Sequence, residues 1–218
     1  MADILLSPWL WVILLGLWLW WWWTGRSRPH IHRKYDSKYK HRFKAGDLFA
    51  DGSTATSKTE KRVLESLHRH GYRTLPSSTR ILIPEVATRP DGESQGKKGA
   101  TRMFTPDIML LNKKVIVEVD PIHWHGGEER IIHDLERNMG YSALGYAVVR
   151  VRIGWADQPY SRLGPFDVVT HEQDYDADRH AARVIKQVSK AKPLNPQFWA
   201  REHARLTRNT RPDPRSRR

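Results

Sequence analysis

Thr105-Pro106-Asp107-Ile108-Met109-Leu110-Leu111-Asn112-Lys113-Lys114-Val115-Ile116-Val117-Glu118-Val119-Asp120-Pro121-Ile122-His123-Trp124-His125 is the stretch from which the fold is read. Ile108 to Leu111 and Val115 to Val117 are apolar and rich in β-branched residues, and Asn112-Lys113-Lys114 separates them. Two such runs around a short polar loop predict a β-hairpin. A two-residue loop at Asn112-Lys113 pairs Leu111 with Lys114 and sets Asp107 opposite Glu118. A four-residue loop with the same centre leaves that pairing unchanged. Asp120, two residues beyond Glu118, shares its face.

Directly opposed side chains on one face bring their Cβ atoms within about 5 Å. Three carboxylates therefore converge at one end of an otherwise apolar hairpin. At that spacing they repel one another, and burial pushes their pKa values up. A divalent cation that favours hard oxygen ligands, Mg²⁺ or Mn²⁺, keeps such a group ionised. The competing reading is an exposed strand end whose acids are simply solvated.

On the N-terminal side of the hairpin, a helix is predicted from Ser57 or Thr59, with Val63, Leu64 and Leu67 on one stripe and a stop at His70-Gly71. Arg80 to Pro84 reads as a strand, and Arg89 to Lys98, rich in Pro, Gly and charge, as a loop. Thr101 to Phe104 leads into the hairpin. On the C-terminal side, Gly126-Gly127 is a break and Glu128 to Leu144 a helix buried on Ile131, Leu135 and Met139, with Gly145 as its cap. Ala147 to Arg152 is a strand with its arginines alternating outward. Asp167 to Val169 is a short strand. Asp176 to Lys190 is a helix whose apolar side holds Ala177, Ala181, Val184, Ile185 and Val188. This order predicts an α/β fold, a mixed sheet flanked by helices.

The ends of the chain have a different character. Ile4 to Trp23 carries no charge and holds seven of the ten tryptophans. Twenty residues at 1.5 Å each span roughly 30 Å, the hydrocarbon thickness of a bilayer, and Trp20-Trp21-Trp22-Trp23 suits an interfacial aromatic belt. Eight basic residues follow between Arg26 and Lys44 against one acid, Asp36. That asymmetry predicts a single-pass membrane protein with everything after Trp23 in the cytoplasm. The organisation expected is a transmembrane anchor over 1–24 and a basic juxtamembrane linker over 25–58. A folded domain over 59–192 and a frayed basic tail over 193–218 complete it. Net charge is +13, and mean hydropathy is −0.66. A basic excess of this size suits a polyanionic partner, nucleic acid or an anionic lipid face. With no cysteine, disulfides and thiolate metal sites are excluded.

Pro106-Asp107, ten intervening residues and then Glu118-Val119-Asp120 resemble the PD-(D/E)xK nuclease pattern, with Asp in the place of Lys. Val117 to Gly126 is similar to the core of very-short-patch repair endonucleases and of small domains related to them. Asp134 and Arg137 on the next helix, Gly145-Tyr146, and Val148-Val149-Arg150-Val151 follow in the order those families show. Thr59-Glu60 resembles their upstream acid. The likeness covers residues 57 to 155 and departs at Pro121, where a Gly is usual, and at the missing Lys.

The resemblance implies a restriction-endonuclease-like fold and metal-dependent phosphodiester hydrolysis of nucleic acid, DNA in preference to RNA. Asp107 and Glu118 would hold Mg²⁺ with the Val119 carbonyl. Asp120 would order a second ion or the attacking water, and His125 would act as general base or acid, with Glu60 as a further acid of the site. Arg137, Arg150 and Arg152 are candidate phosphate contacts, although Arg137 with Asp134 also has the spacing of a helical ion pair. Two other classes stay open. One is a catalytically inactive module that tethers nucleic acid to the membrane. The other is a transition-metal hydrolase built on His123, His125, His133 and an acid.

Overall fold

A computed structural model describes residues 11–19, 30–34, 43–50, 52, 56–88, 94–121, 128–154, 162–171 and 177–209. The chain divides into two units, Met1–His30 and Ile31–Arg218. In the first, residues 11–19 are helical. Trp11, Val12, Ile13, Leu14, Leu15, Leu17, Trp18 and Leu19 all stand exposed, so this helix is apolar all round. Among the described residues no helix is long and apolar enough to cross a membrane. The described helix covers only part of the apolar run Ile4 to Trp23.

The second unit is α/β. Its central sheet has the order β5 (Ile108–Met109), β6 (Val115–Pro121), β7 (Ala147–Gly154), β8 (Val168–His171). β5 runs antiparallel to β6, and β6, β7 and β8 are parallel, so the sheet is mixed. A second sheet orders β1 (Ile31–His32), β2 (Leu48–Phe49), β3 (Arg80–Thr88) and β4 (Ser94–Phe104). The helices are α1 (Lys58–Arg69), α2 (Glu128–Ala143), α3 (Ala177–Lys190) and α4 (Pro196–Asn209).

Both faces of β6 and β7 are covered, which is why they read as continuous apolar runs rather than as alternation. Val115, Val117, Val119, Val149, Val151 and Ile153 share one face with Val63 and Leu67 of α1 and Val184 and Val188 of α3. Ile116 and Val148 on the other face meet Leu135 and Met139 of α2, Trp199 of α4, and Ile81 and Ile83 of β3. Farther along this second face the residues turn from apolar to charged: Glu118 and Asp120 on β6, Arg150 and Arg152 on β7. All four are buried.

α1 starts where expected because Ser57 caps it, its Oγ accepting from the Glu60 amide at 3.1 Å. It stops at Gly71, whose φ of 80° suits the left-handed turn after a helix. α2, β7, β8 and α3 also lie where the apolar spacing places them.

Four expectations are corrected. Leu48 and Phe49 are not linker: they form a strand and are buried, and the Phe49 ring packs against His32 and Phe43 at 5.2 and 5.0 Å. The compact unit accordingly begins at Ile31 rather than near residue 59. Within the expected loop Arg89 to Lys98, β4 begins at Ser94 and pairs with β3 as Thr88↔Ser94 and Val86↔Gly96. The tail is ordered through α4, because Trp199 is buried and its indole N–H donates to Ser142 Oγ at 2.8 Å. Finally, Arg150 and Arg152 do not point outward. Both are 0% exposed, since α2 covers that face of the sheet.

α2 approaches β3 closely at Gly140, where an added Cβ would lie 2.4 Å from Ile83 Cδ1 and 3.1 Å from its Cβ. Alanine is the better helix former by about 1 kcal/mol, but the clash reaches the root of the Ile83 side chain and overpacking costs about 1–3 kcal/mol. Gly140→Ala should therefore lower the urea unfolding midpoint; a midpoint at or above that of the wild type would contradict this packing.

Candidate active site

The hairpin register brings the acids together. Ile108 pairs with Val117 and Met109 with Ile116, and the Leu110 amide donates to the Val115 carbonyl at 3.0 Å. Residues 111–114 form a four-residue loop with the expected centre. Two outside contacts hold it. Lys113 Nζ donates to the Val188 and Ser189 carbonyls at 2.6 and 2.7 Å, at the C-terminal end of α3, where a cation also meets the helix dipole. The Leu111 amide donates to the Arg73 carbonyl at 2.6 Å.

One step before Ile108, Asp107 reaches across to β6, and its Oδ2 accepts the Val119 N–H at 2.7 Å. Burial, then the Glu118 charge beside it, push the Asp107 carboxyl up to about 8; Glu60 and Asp120 act the same way, while the Val119 amide opposes them. Glu60, in the first turn of α1, is thus near enough for its charge to be felt at Asp107. Among the described residues no arginine or lysine is paired with Asp107.

Glu118 has more company. Tyr141 of α2 donates its hydroxyl to Oε1 at 3.0 Å, and Arg137 Nη1 lies 3.9 Å from Oε2. Burial raises the Glu118 pKa, with Arg137 and Arg150 opposing. Burial and the neighbouring Glu118 also push the Tyr141 hydroxyl well up, so it remains a donor.

Asp120 shares the face of Glu118 as expected, but its carboxylate is matched by a cation. Arg150 Nη1 lies 2.5 Å from Asp120 Oδ2 and 3.3 Å from Asp134 Oδ2, and Arg150 Nη2 donates to Asn138 Oδ1 at 2.9 Å. Arg137 pairs with Asp134, the helical ion pair its spacing predicts. Burial works against the Arg150 charge, yet Asp120, Asp134 and Glu118 outweigh it and hold the guanidinium cationic. Arg152 acts on Asp167, whose own carboxyl burial raises and the Gly164 and Leu163 amides lower. Two of the three arginines expected to meet phosphate are therefore internal, and Arg150 is paired with acids of the same domain. Arg137 keeps an edge on a cavity that it shares with Phe104.

His123 and His125 lie outside the described residues. His133 does not join the acids: its Nδ1 is 3.2 Å from Glu136 Oε2, and His203 of α4 faces the other oxygen of Glu136 at 3.8 Å. Among the described residues, no three His, Cys, Asp or Glu side chains are placed to hold a metal ion. What remains for a cation, among the described residues, is half-buried Asp107 and buried Glu118 with the adjoining backbone of Val119. Mg²⁺ suits such a site, since it takes one or two carboxylates and completes its octahedron with water and phosphate oxygens.

Tyr141 and Asn138 were not singled out in the sequence, though a signal exists. Asp134, Arg137, Asn138 and Tyr141 recur at spacings of three and four, a polar stripe on a helix otherwise buried through Leu135 and Met139. In a helix with that much buried surface, such a stripe marks groups matched to polar partners on the sheet.

Asp107 also controls a pH response. Its carboxyl has an ordinary pKa of 3.8 and is pushed up to about 8 by burial and the neighbouring Glu118 in the folded protein. Between those values the native state holds a proton that the unfolded chain has lost, so stability falls as pH rises through the window. Asp107→Asn should flatten that fall. Urea midpoints in EDTA at about pH 5 and about pH 8 check it: a slope unchanged by the substitution would show that Asp107 is not the group responsible.

No protein-family model, curated protein or solved structure matches the chain.

Proposed function

We propose that the chain is a metal-dependent endonuclease acting on nucleic acid, DNA in preference to RNA, and anchored to a membrane by its N-terminal apolar segment. The observation that carries the chemistry is the pairing of buried Glu118 with half-buried Asp107, to which, among the described residues, a backbone amide donates and no cation is paired. A buried carboxylate in that position takes either a proton or a cation. Bound there, Mg²⁺ or Mn²⁺ would polarise a phosphodiester and make a water more acidic.

The chain's own groups would do the rest. Asp107 and Glu118 offer carboxylate oxygens, with the Val119 carbonyl adjoining. Tyr141 holds one Glu118 oxygen by its hydroxyl and so orients the other. Arg137 places positive charge beside Glu118, where developing negative charge on a phosphoryl group would be met. His125 is assigned the proton transfer, with Glu60 as an auxiliary acid near Asp107, both on the strength of the motif they resemble.

A second reading is favoured by one feature. Where the nuclease pattern carries Lys, this chain has Asp120 already paired with Arg150. A domain so arranged would suit a tether that binds nucleic acid at the membrane without cutting it.

Supercoiled plasmid incubated with the full-length protein separates the two. The nuclease reading expects nicking or linearisation with Mg²⁺ or Mn²⁺ and none in EDTA, with Asp107→Ala and Glu118→Ala each reducing the rate about 100-fold or more. Shifted but uncut plasmid under all conditions would support the tether instead.

The placement rests on a helix over 11–19 whose apolar side chains all face outward, an arrangement suited to lipid rather than water. The basic residues after it assign the folded unit to the cytoplasmic side. Full-length protein should sediment with membranes and a chain lacking residues 1–24 should not. A full-length chain in the soluble fraction would remove the anchor from the proposal.

A further inference from the structure

Beside the acids, α2 and the end of β4 line an open cavity of about 290 Å³, walled by Phe104, Arg130, His133, Asp134 and Arg137. The four α2 residues stand at i, i+3, i+4 and i+7, one face of the first half of the helix. Phe104 supplies the opposite wall. It is half-buried, and the guanidinium groups of Arg102 and Arg137 lie over its ring, 5.4 and 5.9 Å from the centroid, so a base reaching that ring face displaces one of them. Asp134 is the one acid of the lining, and Arg137 and Arg150 already meet its charge. Arg130 stands exposed at the rim. The cavity therefore has an exposed arginine at its rim, an arginine–aspartate pair on its helix side and an aromatic ring on its strand side. Arg137 connects it to Glu118, 3.9 Å from that side chain's Oε2.

We propose that this cavity receives one unpaired nucleotide of the nucleic acid, its base against Phe104 and its phosphate on Arg130 and Arg137. The inference rests on the nuclease reading and names the class of substrate it would take. A volume near 300 Å³ is at the small end of ligand pockets and comparable to a single nucleotide. Aromatic rings bind bases through their π-faces irrespective of sequence, and guanidinium groups bind phosphate through paired N–H donors. A base inside a duplex has both faces covered by its neighbours, so it reaches a ring such as Phe104 only when unstacked. The substrate at this position is thus single-stranded or frayed, with no preference for a particular base.

Binding without cleavage tests this. Full-length protein in EDTA is titrated into a short fluorescent single-stranded oligothymidylate, and into the same strand annealed to its complement, with anisotropy as the readout. The single strand should bind about tenfold more tightly than the duplex. Phe104→Leu, which keeps apolar volume and loses the π-face, should weaken single-strand binding by about tenfold. Arg130→Glu, at an exposed position where folding is not at stake, should weaken it at least as much and reduce its salt dependence. Equal affinity for strand and duplex, or wild-type binding by Arg130→Glu, overturns the proposal. Its failure is separable from that of the nuclease reading, because binding is read in EDTA and cleavage only with Mg²⁺ or Mn²⁺. Binding as described without metal-dependent cleavage by the wild type would leave the cavity assignment standing and remove the chemistry.

Discussion

The guanidinium of Arg150, 0% exposed between β6, β7 and α2, is the interaction on which the arrangement of the acids depends. A cation taken that far from water is tolerable only where its charge and its N–H donors are matched. Asp120 supplies one partner from β6, and Asp134 and Asn138 supply others from α2. The network joins two parallel strands to the helix that crosses between them, and so fixes the depth and rotation of α2. That rotation aims Tyr141 at Glu118 and sets Arg137 between Glu118 and Asp134. Removing one member of such a network leaves an opposite charge buried, at a cost of about 3–5 kcal/mol. The pairing also decides which acid remains over. Two arginines serve Glu118, Asp120 and Asp134, while Asp107, just before the neighbouring strand, has among the described residues the Val119 amide and no paired cation.

The hairpin was legible because its information is local. Two apolar runs and a polar loop leave little choice of register when one face must be buried, and the observed pairs Ile108↔Val117 and Met109↔Ile116 follow from the loop centre alone. The helices were legible for a related reason: Val63 and Leu67, Leu135 and Met139, Val184 and Val188 repeat at helical spacing and do end up in the core.

Other parts depend on distant partners. Leu48-Phe49 is too short to show a period, and only β3 and the rings of His32 and Phe43 make a strand of it. β4 carries Gly96, Lys97, Lys98 and Gly99, a composition that suggests a loop, but the chain there pairs with β3 as a strand. In α4 the basic residues dominate the composition, and a single buried contact, Trp199 with Ser142, ties the helix to α2. The burial of Arg150 and Arg152 was hidden for the same reason. Alternating arginines on a strand suggest a solvated face unless one knows that a helix carrying Asp134 and Asn138 lies over it.

Position 120 shows how the network changes the meaning of a motif. By pattern, an acid where Lys is usual looks like the loss of a catalytic cation. In the fold, positive charge is still present at that end of β6, supplied by Arg150 from the next strand and Arg137 from the helix. Asp120 is the counter-charge that admits Arg150 to the interior. A lysine at 120 would not restore the pattern here: it would face Arg150 without a carboxylate between them, two like charges in a medium that screens them poorly. The Asp and the buried Arg are thus one unit, and the site is read in pairs of residues rather than one position at a time. If the domain cuts nucleic acid, it does so with a cation borrowed from a neighbouring element, and the acids that remain for metal are Asp107 and Glu118.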